Sequence, residues 1–568
     1  MTGVTATSTP GRRNMTDRIR PGYVLGVALA VSVALNMWLG RGITFTTDEL
    51  VWFMLSPDLG LKDAFDPYVG HLILTSKLTY KALFETIGPE YWLIRLTTAL
   101  VLAGVVVVLY RLLRKYCGEW PALGISLVVL FFSGDPAHVF HGNGITVLGS
   151  VCCGVLALLL LTERTTARSV LACLALCVGV ATYSQALPFL VGVTVFLLAL
   201  RRLRDLWVPA VPFFLYFAWW IWASSMPSAS QSSLEPERIY MLPVWGFRAT
   251  GAVAESLLRL PDGLGSSAHT VIGLLVAAFM VGLLIWLLAK GRANPLFFAG
   301  AATLLVMWAL VIVVPVEDRD FNSPRYMYPF LIASAITWGS LLRVEKPNRT
   351  LAWAAAALVA ALCLIGIYRQ EQNNDMQREG VTVVLRSGLA GVEAVGPTNP
   401  ALTADYIATQ EEDFFLNLPF RAMDDLERPS VSSYTKAVDA YGPVGFTEEE
   451  IREEGPKAEY LADRSATRAA DLGFVFPLNN AVDAKPCRRP VYLFPGGKGI
   501  AVPPGIFEVR NPTERPGLLS VRRLSKRGVA IGEVAPRSAI ALGGTGNRGN
   551  AGFRLVSRGP VMTICRTQ

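Results

Sequence analysis

Two neighbouring carboxylates, Asp48 and Glu49, stand a few residues past the first long apolar run and lead into Leu50, Val51, Trp52 and Phe53. A carboxylate held near lipid headgroups by flanking aromatics can take a proton from a hydroxyl as a general base, or ligate a hard cation. The plainer alternative is that Asp48 only N-caps an interfacial helix beginning at Glu49. Arg325 opens a later apolar run, just after Glu317, Asp318, Arg319 and Asp320, and Tyr326 follows it. A guanidinium at headgroup level can grip a lipid phosphate through two parallel hydrogen bonds, and Arg319 offers a second cation. The alternative there is a snorkelling anchor at a helix end. His138 and His141 are three residues apart, so on a helical turn they share one face, with Asp135 on the same side. That trio can hold a divalent cation with Asp48 or Glu49, contact a sugar hydroxyl, or form a plain polar turn between spans. His269 stands alone and reads as structural.

Something must hold these side chains at one surface, and the composition says what. The chain has 568 residues, 52% apolar and 17% charged, with mean hydropathy +0.41. Typical soluble chains are about 45–50% apolar and about 25% charged. The excess lies between 22 and 368, in eleven apolar runs near 23–39, 91–110, 119–134, 143–161, 169–183, 186–200, 206–225, 270–289, 295–315, 326–342 and 350–367. Solid runs of this length exclude a wholly soluble enzyme and an outer-membrane barrel, whose strands alternate weakly. With the N-terminus inside, the inner segments hold seventeen Lys or Arg and the outer loops nine, although the outer loops are more than twice as long. This positive-inside bias predicts a multi-pass protein of the inner (plasma) membrane, with residues 1–21 a cytoplasmic arm and the tail outside the cytoplasm. The net charge of +8 is scattered in loops and tail, so nucleic acid is not an expected partner.

The spans themselves are almost free of ionisable residues, Arg95 near the outer end of its run being the exception. Ion-coupled carriers usually keep such groups near the midplane, so the chemistry is expected in the outer loops. The longest of these after the first, 226–269, carries Trp245, Tyr240, Phe247 and three arginines, which are ordinary interfacial belt residues.

The tail is expected in two parts, a mixed α/β segment over 369–480 and a β domain over 481–568. The first begins with a helix near 371–385 and continues through acidic loops around 411–413 and 448–454. In the second, short strands near 490–494, 505–509, 517–522, 529–534, 538–542, 553–556 and 560–565 recur between Gly- and Pro-rich turns, as in a sandwich or jelly roll. Only Cys487 and Cys565 of the eight cysteines lie in this exported part, where an oxidising compartment lets them pair.

The order of these features resembles the GT-C membrane glycosyltransferases, which include protein O-mannosyltransferases, lipid A aminoarabinose transferases and actinobacterial arabinosyl- and mannosyltransferases. The residues that carry the resemblance are the Asp48-Glu49 pair opening the first outer loop, His71 within Asp66-Pro67-Tyr68-Val69-Gly70-His71-Leu72, and Arg325-Tyr326-Met327-Tyr328-Pro329 opening a late span. The family's Pro-Pro after the His is absent here. The resemblance covers about 22–368 and implies a GT-C-like domain of about eleven transmembrane helices, followed by the exported domain. It implies a polyprenyl-phosphate-linked sugar as donor and an envelope glycan or lipid as acceptor, with inversion at the anomeric carbon. It further implies Asp48 as general base, Glu49 orienting the acceptor or a divalent cation, and Arg325 holding the phosphate. A jelly-roll tail of that family would hold a growing glycan. Two rival readings stay open: a non-catalytic assembly or lipid-export scaffold, and a glycan ligase using a polyprenyl diphosphate, with Arg319 and Arg325 on the donor.

Overall fold

The computed structural model describes residues 20–45, 47–68, 70–134, 143–226, 235–258, 266–314, 323–342, 348–395, 431–469, 475–478, 487, 490–495, 497–501, 505–526, 528–544 and 553–566. It divides into two compact units, one of 1–41, 95–222 and 231–372, the other of 42–94, 223–230 and 373–568.

The first unit is helical. Pro21–Leu39, Tyr91–Cys117, Glu119–Leu130, Asn143–Leu161, Thr166–Thr182, Leu187–Ala199, Trp207–Ala223, Ser266–Ala289, Pro295–Val313, Pro324–Leu341 and Arg349–Gln377 match the eleven apolar runs in order. Seven helical stretches are long and apolar enough to cross a membrane by length and composition, and the chain is a multi-pass membrane protein. Their outward faces fit that setting: Phe213, Phe214, Phe217, Trp220 and Ile221 are all exposed on one helix, a display that water would penalise and lipid does not. Helix packing uses small residues, as expected where lipid tails are as apolar as leucine. The segment expected as a long outer loop contains a further helix, Leu242–Leu258, and a Cβ on its Gly251 would stand 3.1 Å from the Gly273 carbonyl oxygen of Ser266–Ala289.

Two contacts of this unit fix the ends of its helices. Arg95 is buried at 3% exposure and donates to the Met37 carbonyl oxygen at 3.4 Å, with its side chain across Gly40 at the end of the first span. Tyr328 donates its hydroxyl to the Phe132 carbonyl oxygen at 2.6 Å, which ties the start of Pro324–Leu341 to the segment after Glu119–Leu130.

The second unit joins the segment that follows the first helix to the tail. Helices Thr47–Leu55 and Leu74–Ile87 share an aromatic core with the tail helix Val431–Tyr441. Phe53 meets Tyr434 at 6.1 Å and Tyr441 at 5.9 Å between ring centroids, and Phe84 meets Tyr441 at 5.7 Å. The chain is helical without a break from Arg349 to Val395, passing through a π-turn at Arg378–Thr382, and Thr44 N–H donates to the Thr382 hydroxyl at 3.3 Å. The segment expected as an acidic loop near 448–454 is instead a helix, Glu448–Glu454. Thr447 and Glu450 close a capping box at its start, each side chain taking the other's backbone N–H. The acidic segment 411–413 lies outside the described residues.

The last part is an antiparallel sandwich of nine strands: β1 (Val475–Leu478), β2 (Val491–Leu493), β3 (Ile500–Ala501), β4 (Gly505–Asn511), β5 (Gly517–Arg522), β6 (Val529–Val534), β7 (Ser538–Gly544), β8 (Arg554–Arg558) and β9 (Met562–Arg566). One sheet has the order β1-β7-β4-β9-β2, the other β3-β8-β5-β6. Phe507, Val509, Leu542 and Ile564 from the first meet Leu519, Val521 and Leu555 from the second in one core. Cys487 and Cys565 are joined as a disulfide with Cα atoms 5.6 Å apart.

Candidate functional site around Asp48

Helix Thr47–Leu55 begins earlier than the capping alternative requires, so Asp48 sits inside its first turn rather than capping it. There the unsatisfied backbone N–H groups and the helix dipole favour two negative charges. The two carboxylates then part ways. Asp48 is part-exposed and accepts a hydrogen bond from the Tyr68 hydroxyl at 2.8 Å. Glu49 is wholly buried: its Oε1 accepts from Tyr80 at 3.3 Å and its Oε2 from Tyr91 at 3.0 Å. Burial and the neighbouring Glu49 hold the Tyr80 phenol well above its usual range, so it stays a donor.

The turn that brings Tyr68 to Asp48 also carries His71. Tyr68 and His71 exchange backbone hydrogen bonds of 3.0 and 2.9 Å across a tight turn. Gly70 adopts φ +74° there, a left-handed conformation that side chains rarely accept. Lys77 braces the preceding loop, donating its ammonium to the carbonyl oxygens of Asp66 at 2.8 Å and Asp63 at 3.2 Å. Burial drives the Lys77 amine down to about 8, against the raising pull of Asp66 and Asp63. Trp52 lies edge-on to Tyr68 at 5.7 Å and against Tyr80 at 4.7 Å, closing the apolar floor beneath both carboxylates.

Asp48, Glu49 and His71 therefore belong to one compact unit, whereas Arg325 and Tyr326 belong to the other. Arg325 is exposed in the first turn of Pro324–Leu341, while Tyr326 is buried and stacked on Phe330 at 5.9 Å. Arg319, Asp135, His138 and His141 lie outside the described residues. Among the described residues no group of His, Cys, Asp and Glu has the makings of a metal site. The three tyrosines were missed at the sequence level. A tyrosine 20, 31 or 42 residues away from its carboxylate leaves no local signal.

No protein-family model matches the chain, and no curated protein sequence matches it. Among solved structures it is similar to ArnT from Cupriavidus metallidurans bound to undecaprenyl phosphate, at 15% identity and a TM-score of 0.46, over 74% of this chain and 88% of that one. It is also similar to the same protein in the apo state, at 14% identity and a TM-score of 0.45, over 76% and 90%.

Proposed function

We propose that the chain is a membrane glycosyltransferase that moves a sugar from a polyprenyl-phosphate donor to a hydroxyl of an envelope glycan or lipid. The observation that carries this is Asp48: a part-exposed carboxylate fixed in the first turn of a helix and held by Tyr68 from the His71 turn. Asp48 takes the proton of the acceptor hydroxyl as its oxygen attacks the anomeric carbon. The bond from that carbon to the phosphate oxygen breaks, the configuration inverts, and polyprenyl phosphate leaves with the electron pair. Most of the acceleration is expected from alignment of the two reactants at the membrane surface.

Glu49, buried under two tyrosine hydroxyls, acts in this proposal as a positioning residue that fixes the helix bearing Asp48, rather than as a group that meets acceptor or metal. Arg325, with Arg319, would hold the donor phosphate. His71, Asp135, His138, His141 and Tyr326 are the proposed substrate contacts. The identity of the donor class rests on the motif order described above and on the absence of nucleotide sugars outside the membrane. The loop charges support an inner-membrane location with this surface outward.

The test compares envelope glycan composition and linkage in a deletion strain carrying wild type or Asp48→Asn at matched membrane levels. The expected result is that one sugar or linkage disappears and only wild type restores it. Full restoration by Asp48→Asn would remove Asp48 as the base and favour the scaffold alternative.

A further inference from the structure

Within the helical unit, two loops and one helix end meet around a buried cation. Arg202, just past helix Leu187–Ala199, is 8% exposed. Its guanidinium donates to the Asp205 carboxylate and to the Leu161 carbonyl oxygen, each at 2.6 Å. It also reaches the Glu163 carbonyl oxygen at 3.4 Å and the Ser169 hydroxyl at 3.3 Å. These bonds tie the loop after Leu187–Ala199 to the end of Asn143–Leu161 and the first turn of Thr166–Thr182. Lys115, in the last turn of Tyr91–Cys117, arrives at the same place. It donates to the Thr162 hydroxyl at 2.7 Å and pairs with Glu163 at 3.2 Å, and Arg168 pairs with that carboxylate at 2.7 Å.

The charges in this cluster do not balance. Segments 162–168 and 200–206 hold five arginines and two carboxylates, Glu163 and Asp205. Both carboxylates are already engaged by Lys115, Arg168 and Arg202. Arg164, Arg201 and Arg204 are left exposed, and none of them pairs with a carboxylate among the described residues. Helix Thr166–Thr182 starts beside them with no acidic residue in its first turn, so its dipole adds to the positive potential. Arg201 is also strained. Among the described residues only Arg201, at φ +56°, and Arg537, at φ +49°, are left-handed without being glycine. Arg537 pairs with Glu514. Arg201 stands where a helix usually ends in glycine: its N–H returns to the Leu198 carbonyl oxygen at 2.9 Å, and that of Arg202 to Leu197 at 2.8 Å. The backbone would be easier with glycine, so the side chain at 201 is kept for its charge. Apolar groups accompany the cations. Leu203 is 63% exposed and Trp207 is exposed beside it, both within the stretch Leu203–Ala223 that is long and apolar enough to cross a membrane.

We propose that Arg164, Arg201 and Arg204 form a site for the phosphate of an anionic phospholipid, on helix ends held in place by Arg202. Guanidinium forks take phosphate oxygens through paired hydrogen bonds, and Leu203 with Trp207 meets the glycerol and acyl part of the same lipid. The site is independent of the transfer chemistry, so Asp48→Asn binds as wild type does. Binding is measured on the full-length protein in dodecyl maltoside, by native mass spectrometry and by the shift of the thermal midpoint. The probes are phosphatidylglycerol, phosphatidylcholine and water-soluble glycerol phosphate. Phosphatidylglycerol is expected to bind most tightly and to raise the midpoint. Arg201→Gly relieves the strained backbone, so its midpoint without lipid should equal or exceed that of wild type, while its affinity for phosphatidylglycerol falls by about fivefold or more. Arg204→Gln should show the same loss of affinity. Arg349→Gln, at an exposed cation opening another helix, should bind as wild type does. Full affinity in both Arg201→Gly and Arg204→Gln would overturn the proposal, as would an equal loss in Arg349→Gln, which would reduce it to general surface charge. Equal binding of phosphatidylcholine, or an equal shift with glycerol phosphate alone, would also overturn it.

Discussion

Asp48 and Glu49 are adjacent in the chain and opposite in circumstance, and that difference can be measured. Asp48 is part-exposed with one tyrosine donor; Glu49 is fully buried with two. Asp48→Asn should therefore fold normally and lose transfer. Glu49→Ala strips an acceptor from two buried hydroxyls, at about 1–3 kcal/mol for each group left without a partner. It should lower the thermal midpoint and the amount of protein recovered from membranes, which quantitative blotting and scanning fluorimetry both read. Tyr68→Phe removes a hydrogen bond to a charged group, worth about 1.5–3 kcal/mol, so its turnover should fall by roughly tenfold while it remains folded. Lys77 supplies a pH dependence of known sign. Its amine is lowered to about 8 in the folded protein and returns to the ordinary lysine range of about 10.4 on unfolding. Between those values the unfolded chain binds more protons, so the Lys77 contribution makes stability rise with pH across that window. Lys77→Met should remove that rise, seen as a flatter plot of midpoint against pH from 7.5 to 10; an unchanged slope would show that Lys77 is already charged in the fold. The sequence pointed to Asp48 by its place after a span, but its partners are set by tertiary contacts that no spacing encodes.

At the scale of elements, legibility followed periodicity. The seven expected strands were found because alternation and Gly- or Pro-rich turns mark them. The two missed were β1, which holds Pro477, and β3, only two residues long; proline argues against a strand and two residues show no alternation. The helix Glu448–Glu454 was masked by its charge, although Thr447 and Glu450 spell a capping box that composition alone overrides. Thr447→Ala should cost about 1 kcal/mol, a small shift in the thermal midpoint. A larger effect belongs to the helix pair Val383–Val395 and Pro456–Ala469. A Cβ on Gly391 would lie 2.7 Å from the Ala466 nitrogen and 2.9 Å from the Ser465 Cβ, both on the facing helix. Since backbone cannot yield as a flexible side chain can, Gly391→Val should cost at least the roughly 1–3 kcal/mol of ordinary overpacking. Gly380, with nothing within 4 Å of its Cβ position, provides the matched control as Gly380→Val.

For the whole molecule, the charge bias of the loops and the chemistry of the tail make one joint statement that can fail in either half. The sequence puts seventeen cations in the expected inner segments against nine in the expected outer loops, and that bias predicts that an odd number of crossings leaves the tail beyond the membrane. There, and not in a reducing cytoplasm, the Cys487–Cys565 bond can persist. It closes a loop 78 residues apart in sequence, a length for which chain entropy gives about 4–5 kcal/mol of stabilisation. The remaining cysteines are free thiols, and Cys117 falls at the inner end of its helix in this orientation. Two measurements bind these together. Alkaline phosphatase fused after Gln568 should be active, and fused before the first span inactive. Acid-trapped cells treated with an alkylating reagent under denaturing conditions should leave Cys487 and Cys565 unmodified until a reductant is added, while Cys117 is modified at once. A tail found active by fusion yet fully alkylated would keep the topology and remove the disulfide. An inactive fusion would reverse the orientation and place Asp48 on the side where nucleotide sugars are plentiful, which removes the need for a lipid-linked donor.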